Sequence, residues 1–281
     1  MRHADSIERL EGALAAVGSF DGIHLGHQAV LRTLAEESKR QGRPSAVVSF
    51  FWEKSQEALT TELEKAYYME KLGVDVMLSL PGEAYAGAEA LKELLTEKMN
   101  VGGIVAGTGC PEQRCLKAWG IPWYPVDAVE IDGKPVTAAR VRDCLDGGRM
   151  EELERLCGHP YFMLGKVVHG RALGRTVGMP TANLKIYGTK RRPPNGVYAT
   201  RTYIEGKAFL GVTNVGLRPS VDDRDEITIE TMLDDFGQDI YGEKIITEFP
   251  LFLRETKKLD GLEAVRRQVE KDMAQARGSL L

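Results

Sequence analysis

The sequence is sparing with cysteine. Cys110, Cys115, Cys144 and Cys157 are the four in 281 residues, too few for a disulfide framework and at spacings that fit no common zinc pattern. Reduced thiols are expected. Charge of one sign is also scarce: 37 basic against 41 acidic side chains leave a net charge of −4. That balance gives no electrostatic reason to expect nucleic acid or an anionic membrane as partner, so any phosphate site must be built locally. Long hydrophobic runs are missing too, since no stretch approaches the roughly 20 apolar residues that a membrane span needs. Met1-Arg2-His3-Ala4-Asp5 lacks the basic-then-apolar order of a signal peptide. A cytoplasmic protein is expected, long enough for two domains with a core each. Composition fixes no oligomeric state.

What is present is glycine, in two concentrated runs. The first is Gly18-Ser19-Phe20-Asp21-Gly22-Ile23-His24-Leu25-Gly26-His27. Residues 13–17 before it read as a short buried strand, and residues 28–40 after it carry Val30, Leu31 and Leu34 on one helical face. Strand, glycine-rich turn and helix present backbone N–H groups and a helix N-terminus to phosphate. Residues 46–50, 74–80 and 103–106 read as further strands, with a helix over about 83–99. This alternation predicts a doubly wound parallel sheet. His24 and His27 could form a metal pair, be satisfied by backbone hydrogen bonds, or face a phosphate. The glycines around them favour the last.

Helices are predicted over 137–145, stopped by Gly147-Gly148, and over 150–157, after which Gly158-His159-Pro160 breaks the pattern. The domain boundary is set at Gly158, giving residues 1–158 and 159–281. Beyond it come short β-like runs at 162–169, 196–205, 207–214, 227–233 and 244–253, with turn signals and no helices between them. They predict a small closed antiparallel barrel. A last helix, over about 259–277, should pack Leu262, Val265, Val269 and Met273 on it.

The second glycine run, residues 167–183, holds Gly170, Arg171, Gly174, Arg175, Gly178, Pro180, Thr181 and Asn183. Its glycines allow close backbone approach and its arginines attract phosphate oxygens. On an extended segment Thr181 and Asn183 point to one side, which suits two oxygen ligands on a hard cation. An ordinary hairpin with a capping pair is the bland reading. Glu230 should lie on the face opposite Ile227, Ile229 and Thr231, either as a solvated carboxylate or as a general base.

Residues 18–27 closely resemble the Gly-x-Phe-Asp-Gly-x-His-x-Gly-His form of the HxGH nucleotidyltransferases found in prokaryotic bifunctional riboflavin kinase/FAD synthetases. Four later stretches resemble the riboflavin kinase domain in sequence and order: Gly178-Met179-Pro180-Thr181-Ala182-Asn183, Asn195-Gly196-Val197-Tyr198-Ala199, residues 211–220, and Ile229-Glu230-Thr231-Met232-Leu233 with Tyr241-Gly242 beyond. The resemblance implies a Mg2+- and ATP-dependent enzyme acting on riboflavin and FMN. It implies that His24 and His27 stabilise charge on ATP, with Gly18, Phe20, Asp21, Gly22, Gly26, Thr137 and Arg142 round the phosphates. For the second half it implies Mg2+ on Thr181 and Asn183, and Glu230 as base on the ribityl 5′-hydroxyl. Gly165, Lys166, Gly170, Arg171, Gly174, Arg175 and Pro180 would line the ATP loop, and Asn214, Arg218 and Arg254 the flavin pocket.

The first half departs from the family in three places. Phe50-Phe51-Trp52-Glu53-Lys54 stands for Phe-x-Pro-His-Pro, Gly107-Thr108-Gly109-Cys110-Pro111 for Asp-Phe-x-Phe-Gly, and residues 136–142 keep Thr137 and Arg142 but have Ala138 and Ala139 for two hydroxyl residues. Each lost hydroxyl removes a hydrogen bond to a charged phosphate, worth about 1.5–3 kcal/mol. Two readings of this half follow, an FMN adenylyltransferase or a degenerate scaffold or regulatory domain on a monofunctional kinase. A flavin-binding protein without turnover fits the intact Thr181, Asn183 and Glu230 set least.

Overall fold

The computed structural model describes residues 1–7, 9–52, 57–108, 118–169, 181–186, 189–218 and 226–280, without the side chains of 217, 218, 226 and 227. The chain divides into two compact units, Met1–Val141 and Arg142–Leu281.

The first unit runs β1 (Arg2–Ala4), β2 (Leu14–Gly18), α1 (Leu25–Gln41), β3 (Ser45–Phe51), α2 (Glu62–Lys71), β4 (Val76–Pro81), α3 (Ala88–Glu93), β5 (Gly103–Gly107) and β6 (Trp123–Val126). A small hairpin follows, β7 (Glu130–Ile131) and β8 (Lys134–Pro135), and then α4 (Ala138–Asp146), which carries the chain into the second unit. Six strands pair in the order β1-β4-β3-β2-β5-β6, parallel throughout. Both faces of this sheet are apolar, as a parallel sheet covered on two sides requires. Leu14, Val47 and Met77 meet Leu31 and Leu34 of α1 and Met69 of α2. Ala15, Val48 and Leu78 meet Leu91 of α3 and Leu94 and Leu95 beyond it. The expected doubly wound sheet is therefore present.

Several details differ from expectation, among them the unmarked strands β1, β6, β7 and β8. The helix read over 83–99 is three pieces: a tight 3-10 turn Gly82–Tyr85, α3, and a wider turn Leu94–Lys98. α2 has no helical apolar stripe to announce it, since it buries Glu64 and Lys65 with Met69 while Leu63 is exposed. Its start is fixed instead by a capping box, in which Thr61 Oγ1 accepts from Glu64 N and Glu64 Oε2 accepts from Thr61 N.

The second unit holds α5 (Met150–Cys157), then β9 (Tyr161–Val168), β10 (Thr181–Ile186), β11 (Gly196–Ile204), β12 (Lys207–Arg218), β13 (Glu226–Leu233), β14 (Lys244–Arg254) and α6 (Leu262–Leu280). The strands close as β10-β13-β12-β11-β14-β9, all antiparallel, which is the expected barrel. Along β11, Tyr198, Thr200 and Thr202 fill one face, where buried hydroxyls satisfy each other: Thr200 with Thr213 (2.9 Å), Thr213 with Thr231 (2.8 Å), Thr202 with Thr247 (3.2 Å). Val197 and Ala199 on the other face pack with Val212 against Met273 and Ala276 of α6. The helix therefore docks by its second half. Leu262, expected in its apolar stripe, is 51% exposed, and Val265 and Val269 are only half-buried. Two ion pairs fasten the same half, Arg254 to Asp272 and Arg277 to Asp234 (2.7 and 2.6 Å).

Gly165 of β9 is a packing glycine in the barrel wall. A Cβ there would lie 2.6 Å from the Lys185 carbonyl and 2.9 Å from the Leu184 side chain. Gly165→Ala is expected to destabilise the second unit by about 1–3 kcal/mol. Chemical unfolding followed by circular dichroism should show the loss, and an unchanged midpoint would contradict this packing.

Candidate active site

In the first unit the glycine run leaves the carboxyl end of β2 and enters α1. Its path bends through left-handed backbone at Phe20 (φ 49°), Gly22 (φ 83°) and Ile23 (φ 40°). Thr60 pins it: Asp21 Oδ1 accepts from Thr60 N (3.0 Å), and Gly22 N donates to Thr60 Oγ1 (2.9 Å). α1 begins at Leu25, so His24 is its N-cap rather than a residue on a helical face. His24 Nδ1 accepts from His27 N at 3.3 Å, and the two rings stack with centroids 3.7 Å apart. Accepting through Nδ1 leaves the neutral His24 proton on Nε2, a donor. Gly26 allows this closeness, since a Cβ would sit 3.1 Å from the His24 ring and 3.4 Å from the Val136 carbonyl. The next residue, Thr137, caps α4 by accepting from Arg140 N (3.3 Å). The N-termini of α1 and α4 thus flank one loop, and both favour an anion.

Burial pushes His24 down to about 4. His27 is held well below the usual imidazole range by burial, then by His24 and Lys65. Its Nδ1 is shielded from water and has no hydrogen-bond partner among the described residues. The pair is uncharged at neutral pH. Arg142 lies on α4, half-buried and within the second unit.

In the second unit, register brings the scattered residues together. Thr181 and Asn183 are half-buried on one side of β10, while Ala182 and Leu184 are buried on the other. Asn183 stands opposite Glu230, Glu230 opposite Asn214, Asn214 opposite Val197, and Val197 opposite Arg254. Directly paired residues share a face, and neighbouring strands lie about 4.8 Å apart. Asn183, Glu230, Asn214 and Arg254 therefore form one row along about 20 Å of wall. At its far end Arg254 is already engaged: Nε and Nη2 donate to Asp272 (2.9 and 2.7 Å) and Nη1 to the Glu255 carbonyl (3.0 Å). Three of its five N–H donors are used in this way, which fixes the plane of the Arg254 guanidinium.

Near Thr181 a cavity of about 380 Å3 opens, lined also by Thr231, Phe236, Asp239, Ile240 and Tyr241. Val167, Thr181, Ala182, Thr231, Leu233 and Tyr241 of this lining fall in the stretches marked by the sequence, whereas the segment from Phe236 to Ile240 does not. Lys166 is exposed on β9 between Lys185 and Lys244, directly opposite each. Lys185 follows Asn183 by two residues on the same side of β10, so this cationic row flanks the site about 7 Å away. Gly170, Arg171, Gly174, Arg175 and Pro180 lie outside the described residues, as does the Arg218 side chain.

The histidine pair has a consequence for stability. Unfolded imidazoles take up protons below about pH 6.5, whereas folded His24 does so only near 4. Between these values the unfolded chain holds more protons, so stability is full at neutral pH and falls as the pH drops from about 6.5 toward 4. All three tryptophans (Trp52, Trp119, Trp123) report on the first unit. Their urea midpoint should fall between pH 7 and 5, and His24→Asn should flatten the dependence. A wild-type midpoint that does not move would contradict the neutral pair.

Comparison with known proteins agrees in both halves. Residues 6–110 match the family model described as FAD synthetase, and residues 157–280 the one described as riboflavin kinase. The bifunctional riboflavin kinase/FMN adenylyltransferase of Haemophilus influenzae is 31% identical over 95% of this chain and 94% of its own length. The protein of that name from Pseudomonas fluorescens is 32% identical over 95% and 92%. A crystal structure described as a macrolide-efflux protein from Streptococcus pneumoniae matches with a TM-score of 0.84 and 26% identity, covering 98% of both chains. Among the described residues here, no helix is long and apolar enough to cross a membrane. The loop of residues 18–27, the barrel row and these matches together assign the chain to the bifunctional riboflavin kinase/FMN adenylyltransferase family.

Proposed function

We propose that the chain makes flavin cofactors in the cytoplasm in two steps, with the working halves divided near Gly158. The second half phosphorylates riboflavin to FMN with Mg-ATP, and the first transfers the adenylyl group of another ATP to FMN, giving FAD and pyrophosphate. The observation that carries the kinase assignment is the register that sets Glu230 between Asn183 and Asn214.

Thr181 and Asn183 offer neutral oxygens beside a carboxylate, a donor set that fits Mg2+. When bound, the cation would neutralise charge on the ATP phosphates. Glu230 accepts the proton of the ribityl 5′-hydroxyl as that oxygen bonds to the γ-phosphorus, and the bond to ADP breaks. Asn214 and the flat face of Arg254 continue along the row as the flavin side, while Lys166, with its lysine neighbours, supplies positive charge on the phosphate side. Gly170, Arg171, Gly174, Arg175 and Pro180 complete the ATP loop in this reading, with Gly165 of β9 assigned to the same ligand, and Arg218 belongs to the flavin pocket.

In the first half, a phosphate oxygen of FMN bonds to the α-phosphorus of ATP and the α–β bridging bond breaks toward pyrophosphate. The loop Gly18, Phe20, Asp21, Gly22 and Gly26, the His24 Nε2–H, His27 and the helix N-terminus at Thr137 stabilise the charge that moves, with Arg142 assigned to the same phosphates. Ala138 and Ala139 withdraw two side-chain donors and leave the backbone N–H groups of α4. The preserved loop and the FAD synthetase match support an active domain over a scaffold.

Glu230→Gln should lower kcat for FMN formation by about a thousandfold with little change in KM for riboflavin. An unchanged rate, read by chromatography, would remove Glu230 from the role of base. His24→Ala should cut FAD formation from FMN by about a hundredfold, and equal FAD formation by this variant and wild type would exclude the histidine pair.

A further inference from the structure

A group of polar side chains at the carboxyl edge of the parallel sheet, buried at Ser49, Ser79 and Lys65, has no part in the steps above. Gly18, Ser49 and Ser79 stand abreast in register across β2, β3 and β4, at the edge where open parallel sheets bind ligands. Lys65 of α2 is 3% exposed, and its ammonium donates to Ser49 Oγ (3.3 Å) and Glu62 Oε1 (2.5 Å). Ser79 Oγ donates to Glu62 Oε2 (2.6 Å) and meets His3 Nε2 of β1 at 2.9 Å. Two of the three N–H donors of the ammonium are used in this way among the described residues.

The needs of the fold do not explain this lysine. It lies in the first turn of α2, where the helix dipole disfavours a cation, and withdrawing an ammonium from water to meet a carboxylate that stays partly in water commonly costs more than their attraction returns. What the lysine does have nearby is the glycine loop: Ser49, which accepts from its ammonium, pairs with Gly18 where the loop leaves β2, and its charge adds to the burial and the His24 ring that keep His27 neutral.

We propose that Lys65 is a positioning residue for adenylyl transfer: clamped by Glu62 and by Ser49, which stands beside Gly18 at the start of the glycine loop, it sets a fixed positive charge behind the nucleotide phosphates. Its fixed charge also favours the pyrophosphate that departs with the electrons of the α–β bridging bond. The chain from His3 through Ser79 to Glu62 keeps the carboxylate, and so the lysine, in place. This inference rests on the reading of the first half as an adenylyltransferase.

The test compares full-length wild type, Lys65→Met and Lys65→Arg in FAD formation from FMN and Mg-ATP, with urea unfolding followed by tryptophan fluorescence. Lys65→Met is expected to lower kcat about a hundredfold and to change KM for ATP by less than about threefold. Lys65→Arg, keeping the charge, should retain at least about a tenth of the wild-type kcat. Wild-type kcat in Lys65→Met, or a rise in KM alone, overturns the proposal. So does equal loss in both variants with an earlier unfolding midpoint, which would make the lysine a strut of the fold. Wild-type protein that forms no FAD overturns the adenylyltransferase reading itself, and this proposal with it.

Discussion

Closure of the six-stranded barrel leaves no strand free to slide. Side chains alternate between faces with a period of two, so a one-residue slip of β13 would turn Glu230 toward Thr213 and Thr200 and bring Thr231 out. The hydroxyl pairs of Thr231 with Thr213 and Thr213 with Thr200 resist that slip from inside. From outside, Val197, Ala199 and Val212 are pinned beneath α6 by Met273 and Ala276. Residues about 50 apart in sequence thus meet with the precision of a register rather than of a loop.

The first unit uses a different constraint. Its loop is held by local strain and small contacts: left-handed backbone at Phe20 and Ile23, the Thr60 clamp, and a glycine at 26 that admits the His24 ring. The result is a dry pair of neutral imidazoles between two helix N-termini. In the proposed adenylyl transfer such a site would meet phosphate charge with oriented donors, backed by the fixed charge of Lys65.

The fold was legible wherever apolar periodicity carries it. Sheet strands with apolar side chains on both faces, the barrel runs and α5 follow their sequence patterns closely. α2 was not legible because it buries Glu64 and Lys65, and a buried charge imitates a solvent-facing position in any hydropathy pattern. β1 was too short and polar to mark, and its pairing with β4 is a long-range contact. In the site, Thr181, Asn183 and Glu230 were readable through motif and alternation, whereas their adjacency depends on register. That Arg254 is held by Asp272 depends on how α6 docks, which the helical stripe misplaced toward Leu262.

In the proposed function two chemistries run in sequence within one chain. The most direct measurement is a chromatographic time course of wild-type protein with riboflavin and excess Mg-ATP, following riboflavin, FMN, FAD, ADP and pyrophosphate together. FMN should rise and then decline as FAD accumulates, with one ADP and one pyrophosphate released for each FAD. Riboflavin that persists without ADP release would contradict the assignment of the barrel row to phosphoryl transfer, and FMN that accumulates with no FAD or pyrophosphate would contradict the assignment of the histidine loop.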